Sequence, residues 1–168
     1  MKKLMIACAA IVMACAANAA AVGWSCAGLS SYTGDAYNFF VIGQNGVSDI
    51  ATITALLDEG SSIDSYAFGG GTVAANGNAQ QAFGSSGKSL DAGTYTGFFV
   101  LFDSATPKAG ESNYLVVSGA GTLTKTLAAT TASVTFAAGN ASSIAGNASN
   151  WKSYGAVPEP TSGLLMLL

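Results

Sequence analysis

The sequence contains no histidine and no arginine, and only 9% of its 168 residues are charged. Without histidine, neither a Ser-His nor a Cys-His pair can activate a nucleophile, and zinc catalysis loses its commonest ligand. Beyond the first three residues the lysines are scattered singly, whereas binding to a phosphate backbone needs clustered positive charge. These absences predict a protein that is not an enzyme, needs no metal or cofactor, and does not bind nucleic acid.

Carboxylates are the remaining catalytic groups, because glycoside hydrolysis requires only a pair of acids. The candidate acids fall in predicted loops and at helix ends, which favours surface charges over catalysis; they are Asp58, Glu59, Asp64, Asp91, Asp103 and Glu111. Asp103 and Glu111, with loop carbonyls, fit calcium better than catalysis, but the Asp-x-Asp-x-Asp-Gly spacing of a calcium loop is missing.

Cysteine is also scarce, and two of the three cysteines lie within the first 15 residues. Cys26 is therefore the single cysteine expected in a processed chain, where it has no partner for an intrachain disulfide. Val22 and Trp24 occupy the alternate positions before it, so we predict that Cys26 is buried in a first strand.

The N-terminus has the three parts of a secretory signal peptide. Lys2 and Lys3 supply positive charge, residues 4–16 are apolar, and Ala17 and Ala19 form the small-x-small pattern that signal peptidase accepts. The apolar run is shorter than the roughly 20 residues of a membrane span. We predict a helical signal peptide over residues 1–19 and a mature start near Ala20, with lipidation of Cys15 as the alternative.

The C-terminus carries a second candidate signal. Val157, Pro158, Glu159 and Pro160 precede a run of five apolar residues, 164–168. This segment resembles the opening of a PEP-CTERM sorting signal, which is found on exported proteins of Gram-negative bacteria that make exopolysaccharide. The resemblance implies cleavage by an exosortase, a membrane protease. In that family a full membrane helix and a basic cluster follow the motif, so we expect the chain to be a fragment that ends inside its signal.

Residues 20–155 are then predicted to form one domain. The chain after the leader contains four lysines and nine acidic residues, which gives it a net charge of about −5. Short runs of aromatic and β-branched residues alternate with Gly, Asn, Asp and Ser, which is typical of strands and turns. The predicted strands are 22–27, 37–43, 65–68, 79–83, 94–103, 113–118, 121–126 and 132–137. A surface loop at 139–149 is expected to lead to a last strand-like stretch, 151–154. The segment 94–103 is apolar on both faces, so we predict a central strand that pairs with 114–117.

One segment has helical periodicity instead. Ile50, Ile53, Leu56 and Leu57 recur at three- and four-residue spacing, and Ser48 and Gly60 are the expected cap and stop of this helix. The fold class is therefore all-β: a small two-sheet antiparallel sandwich, jelly-roll-like, with one short helix across an edge or an open end, plus the signal-peptide helix.

The main functional expectation is an exported structural protein of the cell surface or extracellular matrix, with signal peptidase and exosortase as processing partners and only transient membrane contact. The alternative is a carbohydrate-binding module that recognises exopolysaccharide by stacking; the candidate rings are Tyr32, Tyr37, Tyr66, Trp151 and Tyr154. A third hypothesis is a subunit that assembles through open strand edges. An exposed row of rings would favour carbohydrate binding, and a bare hydroxyl-rich face would favour the structural role.

Overall fold

The computed structural model of the protein describes residues 19–119 and 122–155. These residues form two packed β-sheets and one helix longer than a single turn. The elements in chain order are β1 (Ala20–Ala27), β2 (Ala36–Val41), α1 (Ile50–Asp58), β3 (Gly69–Thr72), β4 (Ala79–Gln81), β5 (Ser89–Leu90), β6 (Gly93–Phe102), β7 (Asn113–Val117), β8 (Thr124–Leu127), β9 (Ser133–Asn140), α2 (Ser142–Ala145) and β10 (Lys152–Ser153). The predicted all-β, two-sheet class is confirmed, and the predicted signal-peptide helix lies outside the described residues.

The smaller sheet is built around β1. Strands β4 and β5 pair with it in antiparallel orientation on one side, and β9 pairs with it in parallel on the other, with Trp24 opposite Phe136. The expectation of purely antiparallel sheets is therefore wrong at this one pair. The reason is the connection: β8 belongs to the larger sheet, and the chain crosses between the sheets before β9 reaches β1.

The larger sheet has the strand order β10-β7-β6-β2-β3, with β8 also paired to β6. Strand β6 is central and pairs with β7, as the sequence predicted, and the register of this pair places Phe99 opposite Val117. Its side chains alternate between two cores: Phe99 and Leu101 face the smaller sheet, whereas Phe98 and Val100 face the opposite side. The doubly apolar sequence of β6 follows from this burial on both faces.

The core between the sheets is packed around aromatic rings. Phe39 on β2 lies with its ring centroid 5.0 Å from those of Trp24 and Phe99 and 5.6 Å from that of Phe136. Gly97 leaves the space for this cluster, because a Cβ there would lie 2.7 Å from the Phe39 ring. Cys26 also lies in this core and is 1% exposed, which confirms its predicted burial in the first strand.

Helix α1 covers the outer face of the larger sheet. Ile53 and Leu57 are fully buried in a second core that includes Phe40 and Phe98. The predicted position across an edge or open end is therefore wrong, because the outer faces of β2 and β6 are apolar and need a cover. The cap is also corrected: Asp49, not Ser48, accepts the hydrogen bond from the backbone N–H of Thr52.

Three further segments differ from the sequence prediction. Residues 65–68 are not a strand, and β3 begins directly after them at Gly69, where a Cβ would meet the ring of Trp24. The predicted loop at 139–149 contains the single turn α2. The predicted strand 121–126 corresponds to β8, which runs to Leu127. No helix in the described segments is long and apolar enough to cross a membrane.

Candidate functional site

Most of the predicted processing residues lie outside the described residues. This applies to Ala17 and Cys15 near the N-terminus and to the motif Val157, Pro158, Glu159 and Pro160. Ala19 is the first described residue; it is exposed, and β1 starts at the next position. The predicted cleavage bond therefore lies at the boundary of the described fold.

Four of the five aromatic residues proposed for sugar stacking serve the fold. Tyr37 and Tyr154 are buried, at 2% and 9% exposure. Tyr32 and Trp151 pack against each other at 5.2 Å, and both donate a hydrogen bond of 2.8 Å to the carbonyl oxygen of Ala145. These two rings thus hold the C-terminal end of α2 rather than standing free.

The fifth ring, Tyr66, is half-buried against the core under α1. The five rings are divided between the two cores, and the half-buried Tyr32 and Trp151 are tilted by 33° to each other. They do not form the exposed coplanar row on which the carbohydrate-binding alternative was based.

Four of the six candidate acids, Asp58, Asp64, Asp103 and Glu111, make local hydrogen bonds or an ion pair. Both carboxylate oxygens of Asp103 accept hydrogen bonds of 2.7 Å, from the backbone N–H and the side-chain amide of Asn113. Glu111 pairs with Lys108 at 3.6 Å. Within residues 19–119 and 122–155, no three side chains of the metal-binding types are grouped together.

Another carboxyl group, Asp35, was not singled out by the sequence. Burial, and secondly the negative charge of Asp103, raise the pKa of Asp35 above its ordinary value. Tyr114 donates a hydrogen bond of 2.6 Å to the carboxylate of Asp58. Burial is the larger cause, and this carboxylate the smaller one, that raises the pKa of Tyr114 above its ordinary value. Both shifts therefore have the same two causes, burial and a neighbouring carboxylate.

The outer face of the smaller sheet carries small uncharged side chains. Val22, Trp24 and Cys26 point into the core, so the alternate residues of β1 point outward. The outward residues of the sheet are Ala21, Gly23, Ser25, Gln80, Ser89, Ser133, Thr135 and Ala137. Phe83, which is 55% exposed, borders this face beside Ser25 and Thr135. We call this surface the hydroxyl face.

A polar groove runs along β3 at one edge of the larger sheet, with a volume of about 500 Å³. We call it the glycine-strand groove, because the backbone of Gly69, Gly70 and Gly71 forms its floor. The polar side chains that line it are Asn38, Asp64, Gln81, Ser86 and Lys88. The groove therefore combines an amide-rich wall with one acidic and one basic group.

The floor of this groove is an open strand edge. Val73 donates its N–H to the carbonyl of Asp35, so odd-numbered residues of β3 face β2 and Gly70 and Thr72 face away from it. Strand β3 is the last strand on its side of the described sheet. The N–H and C=O groups of Gly70 are consequently directed into the groove.

Hydrogen bonds fix the charged groups at the groove walls. Asp64 accepts from the amide of Asn38 at 3.1 Å and from the hydroxyl of Ser62 at 3.2 Å, one bond on each carboxylate oxygen. The ammonium group of Lys88 donates to the carbonyl of Ala67 at 2.9 Å and lies 5.4 Å from the ring centroid of Phe68. Both charges are thus placed beside the open backbone of β3.

Sequence reasoning did not find this groove. Asp64 was treated only as a loop acid, and Lys88 only as one of the scattered lysines. The available signal was the run Gly69-Gly70-Gly71, because consecutive glycines in a strand mark a close approach of other groups to the backbone. The chain matches no protein-family model, no curated protein and no solved structure.

Proposed function

We propose that this protein is exported and serves as a structural component of the cell surface or extracellular matrix. The N-terminal segment that ends at Ala19 directs export, and the motif from Val157 to Pro160 directs sorting by an exosortase. The start of β1 at Ala20 supports this proposal, because cleavage after Ala19 would leave every described strand in place.

The hydroxyl face is the observation that carries the structural role. A sheet face of small, uncharged side chains can lie flat against another surface without burying an unpaired charge. Several of the acids that the sequence offered for catalysis make local contacts, as Asp103 does with Asn113. These features favour a structural component over a hydrolase.

The five rings predicted for carbohydrate binding give this alternative little support. Tyr32 and Trp151 are half-buried and hydrogen-bonded to the same carbonyl, that of Ala145. Tyr37 and Tyr154 are buried and can reach a polysaccharide only if the fold opens.

The test is to express the full-length gene product in a Gram-negative host with and without an exosortase. We expect mass spectrometry to find a mature N-terminus at Ala20, and cell fractionation to find release only when the exosortase is present. Glu159→Ala and Pro158→Ala should keep the protein in the envelope, whereas Glu111→Ala, a matched change at an exposed acid of the folded domain, should not.

Two results would refute the proposal. One is a cytoplasmic protein that retains Met1. The other is release at the same rate for wild type and Glu159→Ala, with the exosortase making no difference.

A further inference from the structure

We propose that the glycine-strand groove binds a neutral polysaccharide, whose hydroxyl groups hydrogen-bond to Asp64, Lys88 and the open backbone of Gly70. This goes beyond the structural role and does not depend on the sorting signals.

The first argument is the set of hydrogen-bonding groups left over at the groove. Asp64 uses one hydrogen bond on each oxygen, and an ionised carboxylate offers about four acceptor sites. Lys88 has three N–H donors and uses one of them on Ala67. Gly70 adds one backbone donor and one acceptor. A sugar hydroxyl both donates and accepts, so it requires a mixed set of partners such as this one.

The second argument is access. A side chain at position 70 would be blocked, because a Cβ there would lie 2.6 Å from the carbonyl oxygen of Tyr37 and 2.7 Å from the amide oxygen of Asn38. Glycine therefore allows Asn38 to lie against the strand, where its amide holds Asp64 in place. The groove volume of about 500 Å³ lies within the range of about 300–1,000 Å³ of small-molecule sites.

The third argument is charge, which selects the class of polymer. The groove contains one acid and one base, so it has no net charge of its own. The chain after the leader carries about −5, and this field repels a polyanion. An extended peptide would pair with the same edge, but strand addition takes its specificity from pockets for side chains, and these walls carry amides and charges instead. The chemistry therefore favours a neutral saccharide over an acidic polymer or a peptide.

The first experiment is titration calorimetry of the mature protein with defined soluble polysaccharides. Dextran, galactomannan and mixed-linkage β-glucan are the neutral probes, and alginate is the acidic comparison. We expect at least one neutral polymer to bind, and Asp64→Ala and Lys88→Ala each to weaken that binding about tenfold or more. Asp91→Ala and Lys108→Ala, which change exposed charges outside the groove, should alter the affinity less than about twofold.

A second measurement does not depend on how well the variants fold. In the wild-type protein, the bound polymer should shift the backbone amide resonance of Gly70 and leave that of the remote Gly119 unchanged. The proposal is overturned by binding to alginate alone, by the absence of binding to any neutral probe, or by neutral binding that Asp64→Ala and Lys88→Ala leave unchanged. Binding of an extended peptide at Gly70 with no response to the polysaccharides would overturn it as well.

Discussion

Replacing Gly97 with alanine should destabilise the protein by overpacking the core between the sheets. The new Cβ would lie 2.7 Å from two atoms of the Phe39 ring and 3.2 Å from the ring of Phe136. Phe39 has no room to withdraw, since its ring also packs against the rings of Trp24 and Phe99, whose centroids each lie 5.0 Å from its own. Overpacking of a core costs about 1–3 kcal/mol, and the lower entropy of an unfolded chain with alanine returns about 0.4–1 kcal/mol. The expected net loss in the free energy of unfolding is about 1.3 kcal/mol at the middle of these two ranges.

Urea unfolding followed by the combined fluorescence of Trp24 and Trp151 measures this loss. Gly119→Ala is the matched control, because among the described residues no atom beyond its chain neighbours lies within 4 Å of a Cβ at that position, and its φ is not positive. In a Phe39→Leu background, Gly97→Ala should cost less, since the clashing ring edge is gone. A Gly97→Ala protein as stable as wild type, or an equal loss in both backgrounds, would refute the proposed ring contact.

The remaining predictions concern titration. Burial raises the pKa of Cys26 to about 11, so this thiol should react with a maleimide far more slowly in the native protein than in denaturant at pH 8. Equal rates in the two states would contradict its burial. The raised pKa of Asp35 means that the folded state binds its proton more tightly than the unfolded state does, so its ionisation removes stability as the pH rises. The free energy of unfolding of Asp35→Asn should therefore increase relative to that of wild type as the pH rises from about 3 to about 7. A difference between the two free energies that stays constant over that range would refute the argument.

The parts of the fold that the sequence predicted well are those where one local pattern decides the structure. Strand β6 is apolar at every position from Phe98 to Phe102, and only a central strand buries both of its faces. The spacing of Ile53 and Leu57 identified α1 in the same way, because these residues share one face of a helix.

The parts that were wrong depend on elements far apart in the chain. The pairing of β2 with β6 places Phe40 and Phe98 side by side on the outer face of the sheet. Helix α1 covers that face because these rings would otherwise be exposed to water. Strand β3 was missed because glycine is depleted in strands, and its use here reflects the ring of Trp24 pressing on Gly69. The parallel pairing of β9 with β1 depends on a crossover that no local pattern encodes.

The candidate site shows the same division. Asp64 and Lys88 are 24 positions apart in the sequence, and neither has a neighbour in sequence that points to binding. They lie at one groove because the loop before β3, which carries Asp64, and the loop between β4 and β5, which carries Lys88, meet at the edge of β3. Only the three glycines between them carried a local signal.

The sequence alone determined short-range properties of this protein: the strand and helix periods and the burial of Cys26. Each follows from interactions between residues a few positions apart, which a single chain segment already contains. The tertiary structure decided which face α1 covers, which strand edge stays open, and which polar side chains meet there. These features arise from contacts between distant segments, and such contacts form and stabilise the fold only when the sheets pack against each other.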